Sequence, residues 1–450
     1  MKKGSSQHPP ANVETTHGIS AIAVEGYKSL RQRTEIAVRP LTLLAGPNGS
    51  GKSSVMQGPL LLKQTLEASY DPGALLLDGP HVRFTAAEQL LPRSGGKTLT
   101  HRLAINVRIS DGEMVDVCFE QEPGLGFDVV EMSAARPAGL PMTLRRAMTE
   151  SEAFRTLPPW EQKMAARLAK RVGAAYRLGV NRERCFLRVG TFAVSTGEYE
   201  GVGWADPLHH VHRYLRAILH VPALRGNPVR TYRTTAVGGE FSGTFEPYVA
   251  SVINHWQASR DPRLEQLGNA LSMLGLTWKI EAKRIDDTQV ELRAGRLGRP
   301  TRGGAKDLVS IADMGFGLSQ TLPVVVALLT AQPGQLVYVE QPEIHLHPRA
   351  QVAFARILAE SARRGVHVVA ETHSALLLSG VQGLVAEGAL SPREVALHWF
   401  SQTTDGATCV RSADLDRTGA FGDWPEEFDE DTLRTQVQDL LAPESRPLRR

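Results

Sequence analysis

The residues best suited to chemistry stand in one unbroken run, Gly46-Pro47-Asn48-Gly49-Ser50-Gly51-Lys52-Ser53, followed by Ser54. Such a loop can cradle a polyphosphate. Its glycines let the backbone curl around phosphate oxygens without Cβ clashes. The amides of the loop point at the anion, as do those of a helix opening at its end, and the helix N-terminus adds roughly half a positive charge. Lys52 is placed to reach the β- and γ-phosphates, and the Ser53 hydroxyl to coordinate Mg2+. The ligands implied are ATP and magnesium.

Three further groups extend this pattern. Asp313-Met-Gly-Phe-Gly317-Leu-Ser319-Gln320 opens an apolar helix with two glycines and a serine, another helix N-terminus suited to an anion. Taken alone it could equally be a capped core helix. The run Leu336-Val-Tyr-Val-Glu340 then ends a β-branched strand in an acid, where a carboxylate can hold the magnesium shell. Gln341 and Glu343 follow it. Finally, His373 follows the strand His367–Ala370 in Glu371-Thr-His-Ser.

The elements that must position these groups are legible from periodicity. Ile19–Val24, Thr34–Val38 and the compact Leu41–Ala45 read as strands, the last feeding the glycine loop, and Ser53–Glu67 reads as a helix that Gly58 and Pro59 would kink. Alternating runs in 103–131 read as strands. Residues 143–182 turn helical and basic, Cys185–Val194 is strand-like, and His209–His220 and Phe245–Ser259 read as helices. Gly197–Trp204 and Leu297–Lys306 read as loops. A strand at Thr288–Arg293, a helix at Ser319–Thr330, a strand at Leu336–Glu340, a helix at Arg349–Arg363 and strands at His367–Ala370 and Val395–Phe400 complete the alternation. That pattern argues for an α/β fold with a mainly parallel sheet.

The order of phosphate loop, serine-bearing turn, acidic strand end and histidine resembles the ABC-type ATPase head shared by SMC, RecF and OLD (overcoming lysogenisation defect) proteins. Gly26-Tyr-Lys-Ser-Leu30 is similar to the aromatic-Lys-Ser element of RecF- and OLD-type ATPases. Glu340–Pro348, EQPEIHLHP, and Asp423–Phe428, DWPEEF, resemble elements of bacterial AAA ATPases of the OLD-like clade. The likeness covers both ends of the chain and is weak in the middle, chiefly Val221-Pro-Ala-Leu-Arg-Gly226. It implies a P-loop NTPase that works as a homodimer or higher homo-oligomer with ATP sandwiched between subunits. Gly317, Ser319 and Gln320 would then form the signature that meets nucleotide in trans. His373 would sense the γ-phosphate in cis, and Glu340 would join Ser53 at the magnesium.

One departure from that family pattern matters. Gln341 stands where ABC heads place a catalytic Glu, and Gln can orient water but cannot take its proton. Glu343 is the nearest acid, so hydrolysis is expected to be slow or to use Glu343. The resemblance further implies an ATPase switch, with phage defence or DNA transactions as its setting and an effector protein in trans. The stretch after His373 is too short for the nuclease domain of OLD enzymes, so nuclease activity is expected from a partner. A nucleotide-gated scaffold with little hydrolysis is the alternative, and a transporter ATPase subunit a weaker one.

The expected organisation is a loose tail at 1–17, an ATPase head in two parts (18–135 and 300–410), an inserted mixed helical lobe at 136–299, and an appendage at 411–450. A chain of 450 residues with 42% hydrophobic residues can bury a sizeable core. Its net charge of +3 does not announce nucleic acid, and DNA binding stays an open expectation resting on the basic stretch Lys163 to Arg184. Three scattered cysteines, Cys118, Cys185 and Cys409, exclude a disulfide framework and fit a reducing cytoplasm. The longest apolar run, Leu322–Leu329, is far too short to cross a membrane. His345 and His347, and likewise His209, His210 and His212, read as loop and surface residues rather than metal ligands.

Overall fold

A computed structural model describes residues 17–136, 141–172, 176–193, 208–296 and 307–421. The loops expected at 197–204 and 297–306, the tail at 1–16 and the segment around Trp424 and Phe428 lie outside the described residues.

The strand Leu41–Ala45 is buried along its whole length, because it lies inside a parallel sheet covered on both faces. The sheet order is Leu219–Val221, Leu336–Glu340, His367–Thr372, Leu41–Ala45, Val395–Gln402, Thr408–Ala413. The first five run parallel and the last is antiparallel. On one face pack the helices Val249–Ser259, Arg263–Met273, Phe316–Thr330, Pro348–Arg363 and Ala375–Ala386, sharing one apolar core with it.

The other face holds the helix Lys52–Glu67, which is buried on nearly every side because a second sheet covers it. That sheet is antiparallel, ordered Thr34–Ala37, Ile19–Glu25, Arg102–Ile109, Met114–Glu122, Gly126–Ala135, Met142–Arg145. Its long strands alternate buried and half-buried residues, the pattern of a sheet with one face on the core. The helix crosses it at Gly58, where a Cβ would come within 2.7 Å of Val24 Cγ2. The helix continues through Pro59 rather than ending there.

Several expectations are corrected. The helix at His209–His220 stops at Arg216, and Leu219–Val221 becomes the edge strand beside Leu336–Glu340. Leu219 and Val221 bury toward one core while His220, between them, faces the opposite side. The segment from 219 to 296 is therefore built into the head, and an inserted lobe reaching to 299 does not describe it. The head also runs past 135, since Met142–Arg145 extends the antiparallel sheet. Between them stand the helices Glu150–Thr156 and Pro159–Val172 and the hairpin Tyr176–Glu183/Phe186–Ala193; its second strand is the strand-like run expected at Cys185–Val194, while Tyr176–Glu183 is a strand where the helical stretch was expected to continue to 182. Two arginines of the basic stretch hold this hairpin to the head. Arg182 pairs with Asp71, and Arg184 donates to the carbonyls of Thr65 and Tyr70.

Candidate nucleotide site

The phosphate loop leaves the centre of the parallel sheet at Gly46, whose φ of 138° places any Cβ 2.1 Å from the Phe400 carbonyl oxygen. Glycine is required there by contact as well as by conformation. The hairpin of Val395–Gln402 and Thr408–Ala413 braces the loop from outside. Thr408 Oγ1 donates to Ser50 O at 2.8 Å, and Gln402 Nε2 to Gly49 O at 2.8 Å. Lys52 is 3% exposed, and its ammonium donates to Gly46 O at 2.9 Å and Pro47 O at 2.7 Å. Burial pushes its pKa down, and Glu371 and Glu343 pull it back up. A cavity of about 280 Å³ opens over the loop, walled by Asn48, Gly49, Gly51, Lys52, Ser53 and Ser54 on one side and by Gln341, Glu371 and His373 on the other.

The carboxylate beside Ser53 is Glu371. Ser53 Oγ donates to Glu371 Oε1 at 3.0 Å, and Tyr338 Oη donates to Glu371 Oε2 at 2.9 Å. Burial raises the Glu371 pKa, opposed in part by the Ser53 hydrogen bond. Glu340, expected in this place, is turned to other partners. Its Oε1 lies 3.2 Å from His220 Nε2, and its Oε2 accepts from Ala223 N at 3.1 Å. Burial alone would raise its pKa, but His220 and the Ala223 amide hold it below the ordinary carboxylate value. Strand order explains the exchange. Glu340 and Glu371 are paired side by side, and only the strand of Glu371 adjoins Leu41–Ala45. Glu340 stands one strand, about 4.8 Å, farther out. A hydroxyl and a carboxylate are hard oxygen donors of the kind magnesium takes, so Ser53 and Glu371 fit that ion.

Gln341 reaches the cavity through a left-handed backbone, φ 44°, which costs a non-glycine residue roughly 1 kcal/mol. Its amide donates to Glu371 O at 2.8 Å. Glu343 is 8% exposed; its Oε1 accepts from Thr372 Oγ1 at 2.7 Å and from His373 N at 2.9 Å. Its Oε2 has no hydrogen-bond partner among the described residues. Burial and the nearby Lys52 charge lower the His373 pKa, which keeps the imidazole neutral near pH 7.

The helix Phe316–Thr330 begins at Gly315 and leaves Phe316 54% exposed. Gly317 packs on the loop that follows the strand Leu336–Glu340, where a Cβ would sit 3.2 Å from His345 O. The Ser319 hydroxyl donates back to Phe316 O at 3.1 Å. These residues do not line the cavity of their own chain. Gln320, expected beside Ser319 as a trans contact, is 6% exposed and Ser319 8%, and the Gln320 amide donates within its own chain to Arg225 O and Gly226 O, both at 3.0 Å. His347 Nδ1 accepts from Arg349 N and so caps the helix Pro348–Arg363.

Three residues that line the cavity, Lys28, Gln57 and Glu371, are not among those the sequence singled out. Lys28 lines the cavity, donates to Gln57 Oε1 at 2.8 Å, and has its pKa lowered by burial. The aromatic-Lys-Ser element thus brings a second ammonium to the phosphate loop, and its Ser29 meets Thr408 Oγ1 at 2.8 Å. Glu371 carries the same local signal as Glu340, an acid at the end of a buried β-branched strand.

The family model described as "AAA domain, putative AbiEii toxin, Type IV TA system" matches residues 216–379, from just before the edge strand to beyond His373. The fold is that of a P-loop NTPase with mixed α/β content and a mainly parallel sheet. No curated protein matches the chain. Among solved structures it is similar to the Smc head bound to the C-winged helix domain of ScpA, at 12% identity over 89% of this chain and 98% of that one, TM-score 0.46. It is also similar to the SMC head domain from Thermotoga maritima (11% identity, 88% and 98% covered, TM-score 0.36). A third is the Smc head domain with an extended coiled coil bound to the C-terminal domain of ScpA, derived from Pyrococcus furiosus (10% identity, 94% and 99% covered, TM-score 0.44). Among the described residues, no helix is long and apolar enough to cross a membrane.

Proposed function

We propose that the chain is an ATP- and magnesium-dependent switch of the OLD/RecF-like type, in which ATP closes two copies head to head and hydrolysis lets them open. The convergence of Lys52, Ser53, Glu371, Gln341 and His373 on one cavity over the phosphate loop carries this reading. Lys52, now resting on two loop carbonyls, would turn to the β- and γ-phosphates. Ser53 and Glu371 would hold magnesium, which when bound offsets phosphate charge. Gln341 would orient the attacking water. His373, held by Glu343 through its amide, would face the γ-phosphate as a neutral imidazole.

The position of Gly317 and Ser319 outside their own chain's cavity supports a role for this turn in a second copy's site. A Ser319→Arg protein is expected to bind ATP within a few-fold of wild type yet fail to form the ATP-dependent dimer. Light scattering with a slowly hydrolysed ATP analogue and magnesium measures this directly. A Ser319→Arg protein that dimerises normally would remove the trans assignment.

A nucleotide-gated scaffold with little hydrolysis is the second reading, and Gln341 at the cavity wall favours it. Gln341→Glu is expected to raise single-turnover hydrolysis by ~10²-fold, the low end of what general-base assistance is worth. If Glu343 is the working base instead, Glu343→Gln abolishes turnover and Gln341→Glu changes little. An effector acting in trans and a phage-defence setting complete the proposal. The matching family's description names a putative toxin of a toxin–antitoxin system, and co-purification from the native host tests for such a partner.

A further inference from the structure

Arg225 is a buried cation that donates to three main-chain carbonyls. It is 4% exposed and stands in the loop that follows the edge strand Leu219–Val221. Its Nη1 donates to Gln320 O at 3.0 Å, and its Nη2 donates to Glu340 O and, at 3.2 Å, to Gln341 O. Gln320 returns the contact, its Nε2 donating to Arg225 O and Gly226 O. Two residues earlier in the same loop, the Ala223 amide donates to the Glu340 carboxylate. A planar guanidinium with five donors can span two elements in this way, whereas an ammonium is a single point of attachment.

The two elements so joined are the two that the nucleotide reading needs. One is the peptide at Glu340 and Gln341, which turns into a left-handed conformation to bring the Gln341 side chain to the cavity wall. Its amide is held by Glu371 O and its carbonyl by Arg225. The other is the start of the helix Phe316–Thr330, where Gln320 directly follows Ser319. We infer that Arg225 is a positioning residue that locks the backbone of Gln341 to the Ser319 turn, so that a copy's own cavity and the turn it offers to a second copy move as one piece. This rests on the proposed head-to-head reading for the second half of the statement. The hold on Gln341 is within one chain and stands without it.

Two consequences can be measured. Loss of the clamp should misplace Gln341 while leaving Lys52 and the phosphate loop in place, so turnover falls and ATP affinity does not. A misplacement of about 1 Å in a reacting geometry is worth ~10²-fold in rate. The two sites of a dimer should also lose their link. A Hill coefficient approaching about 2, the number of sites, would fall toward about 1.

The test uses the full-length chain as wild type, Arg225→Lys and Arg225→Ala. Equilibrium ATP titration, steady-state phosphate release against ATP concentration, and light scattering with a slowly hydrolysed analogue are measured for each. The expected result is ATP affinity within ~3-fold, kcat down by ~10²-fold, and a Hill coefficient near about 1 with dimerisation retained. Guanidinium chloride at sub-denaturing concentration should restore part of the turnover of Arg225→Ala and none of that of Lys52→Ala. If Arg225→Ala does not fold, Arg225→Lys decides: wild-type kcat and cooperativity in that variant overturn the inference. A folded Arg225→Ala that turns over normally, or gains nothing from guanidinium, overturns it too. If wild type forms no ATP-dependent dimer, the switch reading fails, while the loss of kcat and its rescue still report on the hold on Gln341.

Discussion

Lys52→Ala is expected to lower ATP affinity by roughly 10²-fold and to bring hydrolysis below detection. The ammonium is buried against the loop, and its resting partners are the carbonyls of Gly46 and Pro47, which a bound phosphate would replace. A charge-assisted hydrogen bond to phosphate in such a setting is worth about 3 kcal/mol, which converts to roughly 10²-fold in binding. Lys28 shares the cavity but is tied to Gln57 and is stacked near Tyr27 and Phe84, so it supplies charge without the reach to take over. Removing Lys52 leaves the carbonyls of Gly46 and Pro47, residues that line a neighbouring cavity of about 250 Å³ with room for water. The melting temperature should therefore shift by a few degrees at most, and the loss of binding should not be a loss of folding. Fluorescence titration with a labelled ATP analogue, paired with thermal melts, separates the two. Equal affinity and turnover in wild type and Lys52→Ala would sink the nucleotide-site reading as a whole.

The phosphate loop was legible in the sequence because everything it needs is local. A buried strand, three glycines, a lysine and a helix start lie within a single run, and the structure places them so. The parallel sheet was also legible, since alternation of apolar runs and amphipathic helices reports on neighbours along the chain. What was hidden is whatever depends on which strand lies next to which. Glu340 and Glu371 carry the same local signal, and the strand order alone decides that Glu371 meets Ser53. The edge strand Leu219–Val221 is three residues long, too short for any period, and followed a helix so closely that it read as more of it. Arg225 had no local signal, because its partners at Gln320, Glu340 and Gln341 come from distant parts of the chain. The partner of Arg182 was hidden in the same way, since Asp71 lies 111 residues away in sequence.

Glu371→Gln should produce the second large loss, and its comparison with Glu340→Gln tells whether geometry or motif position names the magnesium-shell acid. The amide keeps the shape of the side chain and can still meet Ser53 Oγ and Tyr338 Oη, so the fold should be retained. The carboxylate charge is lost beside Lys52 and the phosphate loop. Binding of ATP should then become insensitive to magnesium, and turnover should fall by ~10²-fold or more, since phosphoryl transfer depends mostly on positioning and charge compensation. Glu340→Gln is expected to act differently. It weakens the pairing with His220 and the Ala223 amide at the sheet edge, so it should lower stability while leaving the magnesium requirement in place. A pH series adds an independent readout. Burial raises the Glu371 pKa above the ordinary value, so its carboxylate is neutralised earlier as pH falls than an exposed glutamate would be. Apparent magnesium affinity in wild type should therefore weaken on mild acidification, and Glu371→Gln should flatten that dependence. Magnesium titrations of ATP turnover and of nucleotide binding in both variants settle the assignment. Loss of the magnesium requirement in Glu340→Gln, with Glu371→Gln behaving as wild type, would return the role to the motif position. It would also mean that the Glu340 carboxylate leaves His220 and the Ala223 amide when nucleotide and magnesium bind.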